Sequence, residues 1–111
     1  MKEKYEVEVT PQAQEQLDEI VRYVAVELHA PKSALDLLDK LEKKIASLER
    51  FPARIALTED EPWRSQGVHK MVVKNHLVYF WSDETERKVF IAAVVYARRD
   101  QRRQLSEMSM D

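Results

Sequence analysis

The sequence predicts an α+β domain of order β-α-α-β-β-β, a small antiparallel sheet with a two-helix hairpin packed on one face. Three observations predict it. An N-terminal stretch alternates apolar with acidic residues, two helical stripes each begin at a proline, and three β-patterned runs follow the only glycine, Gly67. A length of 111 residues corresponds to one domain with a thin core between two layers, so residues 1–111 are expected to form a single domain with 98–111 as its C-terminal tail.

Tyr5-Glu6-Val7-Glu8-Val9 has the period of a strand with one buried face. Thr10-Pro11 then supplies an N-cap residue followed by proline at the first helical position. Leu17, Ile20, Val21, Val24 and Leu28 recur at helical spacing, which predicts a helix over about 11–29. Pro31 opens the second helix, whose stripe is Ala34, Leu38, Leu41, Ile45 and Leu48, and Phe51-Pro52 ends it, because the residue before proline is pushed out of the helical region. The very short link between the helices makes them an antiparallel hairpin.

Residues 53–66 contain Pro62, the acid run Glu59-Asp60-Glu61 and isolated apolar residues, and read as a long irregular connection. Trp63 within it is suited either to stacking on a ligand or to capping the core. Strands are expected over 68–74, 77–81 and 89–97, with tight turns at Asn75-His76 and at 83–86. Strict alternation would place Phe90, Ala92, Val94 and Tyr96 on one face of the last strand.

Composition removes several classes of function. With no cysteine there is no disulfide scaffold, thiolate metal site or cysteine nucleophile. The three histidines, His29, His69 and His76, lack helical i, i+4 spacing, so no metal and no cofactor is expected. No apolar run is long enough to span a bilayer and the N-terminus lacks a signal-peptide pattern, so a cytoplasmic location without membrane contact is expected. The hairpin's stripe suffices for its own sheet, and no homodimer is inferred.

The net charge of −2 hides an asymmetry. Residues 1–61 carry nine Lys/Arg against fourteen Asp/Glu, whereas residues 62–103 carry nine against four, a net of −5 followed by +5. The second half could present an anionic-ligand surface, or the halves could pair with each other.

The element order, Leu48-Glu49-Arg50-Phe51-Pro52 closing the hairpin, His76-Leu77-Val78-Tyr79 opening the third strand and Val95-Tyr96-Ala97-Arg98-Arg99-Asp100 closing the fourth resemble RelE/ParE toxins over about residues 4–105. The resemblance implies the toxin of a type II toxin-antitoxin pair, held inactive by a cognate antitoxin. Some members cleave ribosome-bound mRNA, while the ParE branch poisons DNA gyrase by binding. RNA cleavage by in-line attack of a 2′-hydroxyl needs a base, cations around the phosphate and an acid for the leaving oxygen.

On that resemblance Arg98 is the expected phosphate clamp, and Lys70 and His76 complete a candidate catalytic set. Arg99, Lys74, Arg64 and Arg102 are candidate substrate-binding cations. His76 and His69 stand where relatives often carry arginine, and no tyrosine or histidine follows Arg99. Ribosome-dependent mRNA cleavage is the first reading, with gyrase inhibition or an inactive antitoxin binder as alternatives.

Overall fold

The computed structural model describes residues 4–97. Strand β1 (Glu6–Val9) leads into helix α1 (Pro11–Arg22), which continues as a π-helical turn, Tyr23–Glu27. Helix α2 (Pro31–Ala46) returns, and strands β2 (His69–Val73), β3 (His76–Asp83) and β4 (Lys88–Tyr96) follow. The sheet order is β1-β4-β3-β2. β2, β3 and β4 are antiparallel neighbours, but β1 pairs parallel with β4, so the sheet is mixed where an all-antiparallel one was expected. The cause is connectivity: β1 is joined to the sheet by a crossover through both helices, not by a hairpin turn.

Thr10 fixes the joint between β1 and α1. Its hydroxyl accepts from the Ala13 N–H (3.3 Å) and donates to the Ile91 carbonyl (2.8 Å), so one side chain caps the helix and ties it to β4. At the far end of α2, Phe51 turns the chain in the left-handed region (φ 49°), a position more often given to glycine. Arg54 closes this end. Its guanidinium donates to the carbonyls of Arg50 (2.6 Å), Phe51 (3.2 Å) and Ser47 (3.5 Å) and to the Ser47 hydroxyl (3.0 Å), placing a cation at the negative end of the helix dipole.

The helical hairpin covers one face of the sheet. Leu17, Leu41, Ile45 and Leu48 pack there with Met71, Val73, Val78, Phe80, Val89, Ile91 and Val94. The opposite face has a core of its own, with Val68, Leu77, Tyr79, Ala92, Ala93 and Val95 beneath Trp63 and Trp81. The irregular connection supplies this second cover, and Trp63 caps a core in it.

A β-bulge divides β4. Tyr79 pairs with Ala93 but Phe80 pairs with Ile91, leaving Ala92 as the extra residue. Ala92 and Ala93 therefore both join the second core, and the alternation inverts beyond them. Phe90 stacks on Trp81 (4.6 Å), whereas Val94 lies in the helix-side core and Tyr96 lines a cleft against α1. The four residues expected on one face are thus split between two.

The first turn also differs from expectation. His76 begins β3, and the residue with positive φ is Lys74 (55°), not Asn75. Among the described residues no helix is long and apolar enough to cross a membrane.

Gln16 links the layers, its side-chain carbonyl accepting from the Val94 N–H (2.8 Å) just past the bulge. Val94 is buried. Replacing Gln16 with alanine strands that N–H and should lower unfolding free energy by about 1–3 kcal/mol, read as a lower urea midpoint at unchanged slope.

Candidate functional site

The candidate cations among the described residues fall at three places. Lys70 lies opposite Tyr79 in the β2–β3 register, on the sheet face turned away from the helices, and is half-buried. Lys74 is exposed at the hairpin tip. Arg64 is exposed in the connection and donates to the Thr58 carbonyl (3.3 Å). The ion pairs among the described residues are Lys4–Glu49, Lys43–Asp39 and Lys88–Glu8, so none of these three candidate cations has a carboxylate partner there. One cation of the basic half, Lys88, does pair with the acidic half, at Glu8.

His76 lies on the other face. It pairs with Val73 in the hairpin, is only 8% exposed and leans on Tyr96 with ring centroids 5.3 Å apart. Its Nδ1 has no hydrogen-bond partner. It lines a cleft of about 720 Å³ between α1 and the strand ends, with Glu15, Glu19, Ile20, Asn75 and Tyr96 among its walls. Burial lowers the His76 pKa, because the imidazolium loses hydration that nothing nearby replaces. It is neutral at physiological pH.

Two of the three candidate catalytic residues are therefore not brought together: Lys70 and His76 sit on opposite faces of one sheet. Arg98, Arg99 and Arg102 lie outside the described residues. Among the described residues no group of three or more His, Cys, Asp or Glu is placed to hold a metal ion. His69 is engaged structurally. Its ring stacks on Phe80 (4.9 Å) and its Nδ1 lies 2.7 Å from the Ile55 carbonyl.

Sequence reasoning passed over two features. Tyr79, named only as part of a strand-opening motif, is fully buried in the second core with its hydroxyl unpartnered. Burial, aided by the Asp60 carboxylate, pushes its pKa up to about 12. The other is a shallow cleft beside β2 whose lining includes Lys44, Arg54 and Lys70. Arg54 could have been noticed as a cation just beyond a helix end.

A helical hairpin thus covers a mixed four-stranded sheet whose cations Arg64, Lys70 and Lys74 have no carboxylate partner among the described residues. Three solved structures share the fold. A chain of the chromosomal ParDE toxin-antitoxin system from P. aeruginosa superposes with a TM-score of 0.71 at 18% identity, covering 87% of this chain and 100% of that one. The RelBE2 toxin-antitoxin complex from Mycobacterium tuberculosis gives 0.58 at 18% identity over 84% and 98%. A mutant of E. coli toxin RelE in the free state gives 0.56 at 14% identity over 91% and 92%. No curated protein matches in sequence. The model of the family described as "ParE toxin of type II toxin-antitoxin system, parDE" matches residues 7–101, and the chain belongs to that family.

The two buried groups give opposite expectations. Because the folded pKa of His76 lies below its unfolded value, the unfolded chain binds the extra proton first. Stability from this residue is complete above the unfolded value of about 6.5 and declines as pH falls through it. His76→Leu should flatten the pH dependence of the urea midpoint between about pH 7.5 and 5.5. Tyr79→Phe removes a buried hydroxyl that has no partner, and should change stability at pH 7 by less than about 1 kcal/mol in the same assay.

Proposed function

We propose that this toxin acts by binding, with DNA gyrase as its target, and that a cognate antitoxin neutralises it. The observation that carries the reading is the separation of Lys70 from His76, with the imidazole buried on the helix side. In-line RNA cleavage needs base, acid and cations gathered around one phosphate, because positioning supplies much of its acceleration. Inhibition by contact needs no such set. The family match adds support, being to the ParE toxins of parDE systems. The antitoxin is supported by two of the fold's relatives, described as a ParDE system and a RelBE2 toxin-antitoxin complex.

Ribosome-dependent mRNA cleavage is the second reading. The +5 charge of residues 62–103 and the Arg98-Arg99 pair favour it. Under it Arg98 clamps the phosphate, Lys70 and His76 complete the catalytic set, and Arg99, Lys74, Arg64 and Arg102 hold the message.

Purified protein added to gyrase with relaxed plasmid should abolish supercoiling, while message on programmed ribosomes stays intact. Intact supercoiling together with message cut by the wild type, but not by an Arg98→Ala, Arg99→Ala variant, would reverse the assignment.

A further inference from the structure

The cleft that His76 lines is bounded by α1 on one side and by the ends of β3 and β4 on the other. Its volume, about 720 Å³, falls within the range of roughly 300–1,000 Å³ in which pockets enclose a whole small ligand. Among the described residues its only charged side chains are Glu15 and Glu19, one helical turn apart on the same face of α1. Neither carboxylate has a hydrogen-bond or ion-pair partner there. Solvated carboxylates on a helix face are commonplace, but the imidazole on this cleft is not solvated. His76 is 8% exposed and its Nδ1 has no partner, a burial that costs free energy until something bonds to the ring.

The rest of the cleft is apolar, with Ile20, Val24 and Val94 in its walls. Helix α1 also changes character there. The Leu28 N–H bonds to the Tyr23 carbonyl (3.1 Å), closing the π-helical turn Tyr23–Glu27, and Tyr23, Val24 and Leu28 all line the cleft. Such turns are rare and occur frequently at functional sites. Glu15, Glu19 and His76 do not converge on one point, since no three His, Cys, Asp or Glu among the described residues are placed to hold a metal ion. The acceptors are spread along the cleft, which suits an elongated cation and not a compact one.

We infer that this cleft binds a linear aliphatic diamine, a small molecule with an ammonium at each end of a methylene chain. Its two positive charges balance the two carboxylates. Each ammonium has three N–H donors and no acceptor, which matches a cleft holding carboxylates and an imidazole lone pair but no cation among the described residues. One ammonium lies between Glu15 and Glu19, the methylenes cover Ile20, Val24 and Val94, and the other ammonium donates to the His76 imidazole. A lysine or arginine side chain of a partner protein would bring only one cation and leave one end of the cleft unanswered. The inference rests on neither reading of the toxin's target and can stand or fall without them.

The test is an NMR titration of the whole protein that follows the His76 imidazole nitrogens and the Tyr96 ring. The probes share one six-carbon chain and differ at its ends: hexamethylenediamine, hexylamine, hexanediol and adipate. The diamine should shift both sets of signals saturably. Hexylamine and hexanediol should bind at least tenfold more weakly, and the dianion adipate should shift nothing. Glu15→Gln combined with Glu19→Gln, both exposed, should weaken the diamine at least tenfold. Asp18→Asn, on the same helix but outside the cleft lining and hydrogen-bonded to Gln14, should leave its affinity unchanged. His76 signals unmoved at millimolar diamine would overturn the inference. So would hexylamine binding as tightly as the diamine, or an affinity that survives loss of both carboxylates.

Discussion

The pairing of β1 with β4 is the constraint on which the rest of the structure depends. β4 is the longest strand, hydrogen-bonded on both sides and buried on both faces from Ile91 to Val95. Because β1 lies parallel to it, the chain must cross over between them, and the helical hairpin is that crossover. Thr10 secures the junction by bonding to Ile91. Once the hairpin lies on one face, the other must be closed by something else, and the connection after α2 is the segment left to do it.

The bulge in β4 distributes side chains between these two covers. One extra residue inverts the alternation, so Tyr96 meets His76 above the helix-side cleft while Phe90 remains with Trp81 on the far face. The uninterrupted β2–β3 register separately places Lys70 beside Tyr79 and His76 on the opposite face. The polar chemistry of the molecule is therefore distributed, with a neutral buried imidazole on one side and unpaired cations on the other and along the β2 edge.

The element order and the apolar stripes of both helices were legible in the sequence because burial of one face imposes a period, and the period survives in the residue types. Thr10-Pro11 marked a real boundary because capping is a local effect, whereas α2 ends at Ala46, before Phe51, and Pro52 opens a 3-10 turn of its own. The direction of β1 was not legible, since parallel and antiparallel pairing bury the same alternating residues. The bulge was equally hidden, because Ala92 and Ala93 carry no mark of which is the extra one. Lys70 was found as a strand cation, but its neighbours Lys44 and Arg54 come from elements joined only by tertiary packing. The unpartnered hydroxyl of Tyr79 depends on how residues 53–67 fold over it, which no period describes.

The register of the parallel pair also sets an order of events during synthesis. Val7 aligns with Val89, 82 positions later, so at translation speeds of about 5–20 residues per second the first strand waits roughly 4–16 s for its partner. Through that interval the two amphipathic helices have no sheet to lie on, and long-range pairing of this kind closes slowly even when both strands are present. Until β4 has been made, the nascent chain therefore lacks the surface that the completed sheet carries.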